Sequence, residues 1–346
     1  FHARIEFDAS WELFIKYCVR NGLNYTDYTC KSVNNQNFEY PWFAGRTYNG
    51  GRPYWLSSHS AVFKDFLKYQ IDKALLADDL KVLMLDAQTS SALACRDQWS
   101  SGDFSTASMT AFTAWLQQES TTNNLSALGI PDINTFDYRV FLKQHGVHTD
   151  TDYKNRVQQH VSNETPLPLY EEFRLFQNAA IRELTAELIT YAKEKANPRD
   201  IHIGTSSPLG DPYRSTFLEE LDFYQQELAM EESNFAHKPA LTYKFAEFLN
   251  THFILTAEPN DWEGINRDKS REPEVKQWIA EAYAHGAVFI APAEQWTIKS
   301  GNYTPSTDFT SLYKWIAENK SLFNDFTETQ AEVALVVSRE ATRKYV

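Results

Sequence analysis

The chain has 346 residues, of which 42% are hydrophobic and 23% are charged, and its formal net charge is −13. This size suits one barrel of about 250 residues with insertions. The acidic balance, without any run of Lys or Arg, argues against a nucleic-acid partner, and no apolar segment approaches the roughly 20 residues that a membrane span needs.

Short apolar runs alternate with amphipathic helical patterns along the chain. Eight runs have the length and composition of strands: ARIEF, LNYTDYT, YPWFAGR, KVLML, DIHIGTSS, LDFYQQELA, HFILTAEPNDW and AVFIAP. In the first helical pattern, SWELFIKYCVRNG, Ser10 is the expected cap and Gly22 the expected stop. In the fourth run the four apolar residues 82–85 are followed directly by Asp86, which poses the question of why a carboxylate follows a buried strand.

The repeated strand–helix units predict an α/β fold, a (β/α)₈ TIM barrel over residues 1–327. A long helical insertion, about 90–165, follows the fourth strand, and insertions of this size usually build a site or a lid. The run EVALVVS predicts that 328–346 begin a C-terminal α/β domain or tail. A doubly wound open sheet is the alternative fold, although no nucleotide-binding glycine motif follows any strand.

The cysteines favour no metal centre. Cys18, Cys30 and Cys95 match no ligand spacing and cannot all pair, so Cys18–Cys30 forms a small disulfide or both remain buried thiols. No H-E-x-x-H pattern occurs, and we expect neither a metal nor another cofactor. The chain begins at Phe1, from which we expect that a leader or an earlier segment was removed; the expected location is secreted or periplasmic, in a bacterium.

Carboxylates stand where a barrel places its active site, at the carboxyl ends of the strands. Asp86 ends the fourth predicted strand, Glu227 the sixth, and Glu258 follows the seventh. We expect all three to point into one cleft, although a single acid at such a position is more often a structural hydrogen-bond partner. Residues expected to bind substrate around them are Asp8, Arg46, Trp55, His59, Gln88, Arg96, Asp261, Trp262 and Trp296. Two carboxylates flanked by aromatic rings are what glycoside hydrolysis requires.

Two stretches carry a resemblance to a known family. GRPYWLSSHSAVFKDFLKYQIDKALLADDLKVLMLD, followed by GDFSTASMTAFTAWL, resembles the family 42-like glycoside hydrolase barrels, which include β-galactosidase-type enzymes. The final EVALVVS resembles the start of the trimerisation-type domain that follows such barrels. The chain departs from the family at the fourth strand, where Leu85-Asp86 replaces the usual Asn-Glu pair.

Other barrel glycosidases, which act on α-linked glycans, have an Asp nucleophile on the fourth strand and an acid on the sixth. This second resemblance implies Asp86 as nucleophile and Glu227 as general acid/base, with Glu258 as a substitute for either. Arg46 and Arg96 could bind an anionic substituent of the substrate, because guanidinium groups suit sulfate and carboxylate. The expected function is hydrolysis of a poly- or oligosaccharide. The alternative is a non-catalytic glycan-binding or assembly protein on the same barrel, and either could be a homo-oligomer.

Overall fold

The computed structural model describes residues 2–40, 43–86, 102–119, 125–130, 132–206, 220–230, 238–298 and 300–324. They form two compact units. The first comprises the described residues up to Ile203 together with Glu220, and the second comprises 204–206 and the described residues from Leu221 onward. In both units parallel strands alternate with helices, which confirms the predicted α/β class.

The first unit is built on a parallel pair of strands, β1 (His2–Glu6) and β2 (Val82–Asp86), in which Glu6 is in register with Asp86. The His202 N–H, at the start of β3 (His202–Ser206), donates to the Lys81 carbonyl at 2.9 Å. Its helices are α1 (Trp11–Arg20), α2 (Ala61–Ala74), α3 (Thr106–Glu119), α4 (Tyr138–Gln144), α5 (Asp150–Val161) and α6 (Tyr170–Ala196).

One face of the β1–β2 pair is apolar and lies against the helices. Successive strand residues point to opposite faces, so Ile5 and Leu85 share a face with Phe7, which follows β1. All three are buried, and the Phe7 ring meets Phe63 of α2 edge-on at 6.2 Å. Arg4, Glu6, Met84 and Asp86 therefore occupy the opposite face.

Local hydrogen bonds explain where several helices begin. The Ser60 hydroxyl accepts from the Phe63 N–H and caps α2, while Thr149 and Asp152 form a reciprocal capping box at the start of α5. The predicted cap Ser10 does not act in this way. Its hydroxyl instead donates to the Glu6 and Phe7 carbonyls, at 2.6 and 2.8 Å, and ties α1 back to the end of β1.

The described part of the predicted insertion packs with α6 into one aromatic core. Phe104, Phe112, Tyr138 and Phe173 are buried together, with ring centroids about 5–6 Å apart. They come from α3, α4 and α6 and from the segment before α3. A segment expected to be a site or a lid is thus also a packed aromatic core.

The second and third predicted strands are not formed by the residues described. Tyr25–Tyr28 form a 3-10 helix, and residues 43–46 make a turn in which the Arg46 N–H bonds to the Phe43 carbonyl. Isolated bridges such as Thr29 with Leu56 replace the continuous ladders. The alternating Tyr and Thr residues favour strands, but strand propensity depends on the partner that the fold supplies.

The second unit holds the ladder formed by residues 204–206, β4 (Phe223–Leu228), β5 (His252–Ala257) and β6 (Val288–Phe289), with each pair parallel. An antiparallel hairpin, β7 (Trp296–Ile298) and β8 (Gly301–Tyr303), follows. The helices are α7 (Lys238–Phe248), α8 (Pro259–Arg267), α9 (Glu272–Ala284), α10 (Thr310–Glu318) and α11 (Ser321–Asn324).

Cys18 and Cys30 are both buried free thiols, so the disulfide alternative is wrong. Burial raises the pKa of Cys18 to about 11, and the Cys30 thiol donates to the Leu56 carbonyl at 3.2 Å. Cys95 lies outside the described residues. Across the described ranges, no helix combines the length and hydropathy needed to cross a membrane.

Candidate functional site

Asp86 ends β2 and is held there by an ion pair. Its Oδ2 accepts from the Arg4 Nε at 3.1 Å and also from the Arg4 Nη2. The Asp86 side chain is only 3% exposed, whereas Arg4 is 44% exposed. A carboxylate buried at a strand end is costly unless a charged partner compensates it, and Arg4 supplies that partner. Asp86 therefore lies at the base of a charged cluster that reaches solvent through Arg4.

Glu6 belongs to the same cluster. It ends β1 directly beside Asp86, and its Oε1 lies 3.2 Å from the Arg4 Nε. Burial raises the pKa of Glu6; the charge of Arg4 opposes this rise and the charge of Asp86 adds to it. One positive charge thus lies between two carboxyl groups whose surroundings differ. Such differences allow one carboxyl group to act as an acid and the other as a base.

His59 lies beside a buried polar cluster of the first unit and is itself partly exposed. Its ring stacks on Phe176 at 4.7 Å. Burial lowers the pKa of His59, although the charge of nearby Asp103 raises it. Asp103 is itself fully buried and accepts hydrogen bonds from the Ser57 hydroxyl and, at 2.9 Å, from the Ser105 N–H. The hydrogen bonds of Asp103 and the ring contact of His59 with Phe176 together join three chain segments, so the cluster has a structural role.

Trp55 and Arg46 differ in accessibility. Trp55 is fully buried, with its ring edge-on to Tyr40 at 4.7 Å, and in this structure it offers no stacking face to a sugar. Arg46 is exposed, and its guanidinium lies over the Phe43 ring at 5.0 Å. Of these two predicted binding residues, only Arg46 is accessible to a ligand.

In the second unit, Glu227 lies near the carboxyl end of β4. It is exposed and in register with Thr256 of β5, so these two side chains share a face. The opposite face packs on α7, where the Phe253 and Tyr243 rings meet at 6.3 Å. Glu227 therefore points to the face of the ladder opposite α7.

Glu258 and Asp261 begin α8. Glu258 is the N-cap residue and is half-buried, and its N–H donates to the Leu228 carbonyl at 2.9 Å. Asp261 is buried and accepts from the Met230 N–H at 2.7 Å. Asp261 thus joins the end of β4 to the helix, a structural use of a carboxylate at a helix N-terminus. Of the three acids predicted for the site in this unit, Glu227 and Glu258 are accessible and Asp261 is buried.

The two tryptophans of this unit also differ. Trp262 is fully buried among aromatic rings, stacks on Tyr303 at 5.5 Å, and donates from Nε1 to the Thr256 hydroxyl. It belongs to the core. The Trp296 ring, in β7, has its centroid 6.3 Å from that of Trp262. Trp296 is only half-buried, so part of its side chain remains accessible.

Three predicted site residues have no described side chain: Gln88 and Arg96 lie outside the described residues, and Asp8 is known only as the start of a short 3-10 helix, Asp8–Ser10. Among the side chains that are described, no group of three or more His, Cys, Asp or Glu residues is arranged to hold a metal ion. The prediction that Asp86, Glu227 and Glu258 share one cleft stays a prediction.

Arg4 and Glu6 were not among the site residues predicted from the sequence. The signal was present in ARIEF, where charged residues at positions 4 and 6 alternate with apolar residues at 3, 5 and 7. This alternation predicts one polar face on the strand. What it lacked was the identity of the neighbouring strand, which places Glu6 beside Asp86.

Comparison with known proteins gives two similar sequences, both named alpha-agarase. The protein from Thalassotalea agarivorans is 29% identical over 349 aligned residues, which cover 99% of this chain and 23% of the relative. The protein from Alteromonas agarilytica is 27% identical over 332 aligned residues, which cover 94% of this chain and 22% of the relative. The chain spans under a quarter of the length of these curated relatives.

No family model matches the chain, so the resemblance to family 42-like barrels stays a prediction. A beta-galactosidase from Bacillus circulans sp. alkalophilus aligns in structure with a TM-score of 0.49 and 14% identity, over 87% of this chain and 43% of that one. Along nearly all of its own length, the chain is similar to a segment of two proteins named alpha-agarase.

Proposed function

We propose that the protein is a glycoside hydrolase that cleaves glycosidic bonds of an agar-type polysaccharide by a two-carboxylate, retaining mechanism. The observation that carries this proposal is the similarity of 99% of the chain to a protein named alpha-agarase. The accessible or half-buried acids at strand ends support it, since such a reaction needs one carboxyl to protonate the leaving oxygen and another to attack carbon.

Asp86 is the proposed nucleophile, and Glu227 and Glu258 are candidates for the general acid/base. Asp86 has the features that a nucleophile needs: a buried position at a strand end and an ion pair that holds its carboxylate in place. Arg46 and Trp296 are accessible and suit substrate binding, by charge and by ring stacking respectively. By this proposal the substrate is carbohydrate, and the chemistry requires no metal.

The test is a measurement of reducing ends released from agarose by the full-length protein and by its Asp86→Asn variant. Turnover should fall by roughly three or more powers of ten in the variant, because the covalent step is lost. A melting curve checks that the variant folds. Asp72→Asn, an exposed position in α2 bonded to the Tyr191 hydroxyl, is the matched control and should keep full activity.

The competing function is glycan binding without hydrolysis. Retention of the wild-type protein on agarose with no release of reducing ends would replace the hydrolase proposal by that one. Normal turnover of Asp86→Asn with a lowered melting temperature would instead move the nucleophile to Glu258.

A further inference from the structure

The side chains of Glu6 and Asp86 share one face of the β1–β2 ladder. The two residues are in register at the carboxyl ends of adjacent parallel strands. In-register positions on neighbouring strands lie about 4.8 Å apart, and their side chains project to the same side. Ile5 and Leu85 occupy the opposite, helix-packed face, so the two carboxyl groups meet on the face that they share with Arg4 and Met84.

A single nitrogen atom bridges the two carboxyl groups. The Arg4 Nε lies 3.1 Å from Asp86 Oδ2 and 3.2 Å from Glu6 Oε1. Because both oxygens contact the same nitrogen, the distance between them cannot exceed the sum of these two distances, about 6.3 Å. The two carboxyl groups of inverting glycosidases lie farther apart, at about 6.5–9.5 Å. The pair is close enough for the retaining geometry of about 5–5.5 Å.

We propose that Glu6 is the general acid/base that works with the nucleophile Asp86, in place of Glu227, and that Arg4 positions both. This inference rests on the proposed hydrolase function. Glu6 is 39% exposed and Asp86 3% exposed, so the acid/base is the residue that water and the leaving group can reach.

The surroundings of the two carboxyl groups suit these different roles. Burial raises the pKa of Glu6, and the charges that face it are Arg4 on its own strand, which opposes the rise, and Asp86 on β2, which adds to it. Asp86 accepts hydrogen bonds from both Nε and Nη2 of Arg4, which hold its carboxyl group in place. When two carboxyl groups have such different surroundings, one can serve as the acid and the other as the nucleophile at the same pH.

The reaction balances with these two groups and water. Asp86 attacks the anomeric carbon and forms an ester bond while the glycosidic C–O bond breaks, and the Glu6 proton passes to the departing oxygen. The Glu6 carboxylate then takes a proton from water, whose oxygen attacks the same carbon and releases Asp86. Glu6 is protonated again, and the product keeps the configuration of the substrate.

The experiment compares Glu6→Gln, Glu227→Gln and Glu187→Gln in the full-length protein, with agarose as the substrate. Glu187 is an exposed control in α6 that pairs with Lys64 and Lys68. We expect Glu6→Gln to lower kcat by about 10²–10⁴-fold and to remove the alkaline limb of the pH profile, since protonated Glu6 sets that limb. Glu227→Gln should lower kcat by less than Glu6→Gln, and Glu187→Gln should leave it unchanged.

A second variant separates chemistry from folding. On an agar-type oligosaccharide whose leaving group is 4-nitrophenol, which departs without a general acid, Glu6→Ala should recover activity when sodium azide is added, because azide needs no general base to attack the glycosyl–Asp86 ester. Mass spectrometry should then detect an oligosaccharide azide, which a folding defect cannot produce.

The outcomes separate this inference from the function on which it rests. Release of no reducing ends by the wild-type protein would overturn both. An active wild type, an inactive Asp86→Asn and an unaffected Glu6→Gln would overturn the inference alone. Formation of the azide by Glu227→Ala, and not by Glu6→Ala, would return the acid/base role to Glu227.

Discussion

Arg4 shows how a single side chain can determine the chemistry of a site. Its guanidinium is half-exposed while the carboxylate of Asp86 is buried, so the pair loses less hydration than a fully buried ion pair would. The same guanidinium reaches Glu6, whose pKa depends on it. A change at position 4 therefore affects two carboxylates at once.

Glu272 shows the opposite use of a carboxylate, for structure. At the start of α9 it accepts hydrogen bonds from the Tyr303 hydroxyl at 2.8 Å, the Ser306 N–H at 2.7 Å and the Ser306 hydroxyl at 2.6 Å. Burial alone would raise its pKa, but the hydrogen bonds from Ser306, Thr307 and Tyr303 lower the pKa of Glu272 from 4.5 to about 2. The ionised form is thus stabilised in the folded protein.

Glu272→Gln should therefore lower the free energy of unfolding near neutral pH, by roughly 2–4 kcal/mol, since a buried charged acceptor is lost. Because the folded-state pKa is lowered, the stabilisation is fully present above about pH 4.5 and is lost as the pH falls towards 2. Urea unfolding at several pH values should show the variant and the wild type converging at low pH. Glu274→Gln, an ion-pair position on the same helix, is the control and should cost less than about 1 kcal/mol. A constant difference across the pH range would contradict this account.

At the scale of elements, close packing between β3 and β4 depends on a glycine. Gly204 is in register with Phe223, and a Cβ atom at position 204 would overlap the phenylalanine ring. The ring lies over the glycine on the face away from α7, where a larger residue has no room. The ring of Phe223 thus occupies the space that a side chain at position 204 would need.

Gly204→Ala should lower the free energy of unfolding by about 1–3 kcal/mol, because overpacking forces the ring or the strands to move. Phe223→Leu leaves space at the same point. If overlap is the cause, the double variant Gly204→Ala/Phe223→Leu should be more stable than the sum of the single changes predicts. Chemical unfolding of the four proteins measures this coupling. Strict additivity would mean that Gly204 is needed for its backbone and not for the space it leaves.

For the whole molecule, the net charge of −13 bears on which polysaccharides the protein can approach. Like charges repel over roughly one Debye length, about 10 Å at 0.1 M salt. The exposed Arg46 could attract an anionic substituent that comes close to it. The summed negative charge of the chain would still repel an anionic polymer as a whole. Under the proposed function, a neutral agar-type polymer should be the better substrate.

We therefore expect agarose to be cleaved faster than a sulfated agar-type polysaccharide at about 20 mM salt, and the difference to narrow at about 300 mM. Rates of reducing-end release on both polymers measure the effect, and the agarose rate serves as the internal control because salt should change it little. Arg46→Gln should lower the rate of cleavage of the sulfated polymer and leave the rate on agarose unchanged. A preference for the sulfated polymer at low salt would mean that a local basic site prevails over the net charge.

The sequence by itself determined the elements whose pattern is local. The apolar run before Asp86 and the run at His252–Ala257 are strands as predicted, and the helical pattern SWELFIKYCVRNG became α1. Short-range patterns encode such elements because side-chain spacing repeats with the backbone. Asp86 was found for the same reason, as a charge at the end of an apolar run.

Only the tertiary structure decided which residues surround Asp86 and which aromatic rings are accessible. Glu6 and Arg4 come from a strand about 80 residues earlier, and their position follows from the β1–β2 register, which no local pattern states. Trp55 and Trp262 read as binding residues but are core, because burial depends on the whole set of packed neighbours. LNYTDYT became a 3-10 helix for a related reason: a strand needs a paired edge, and in the part of the chain that the structure describes this segment has only isolated bridges.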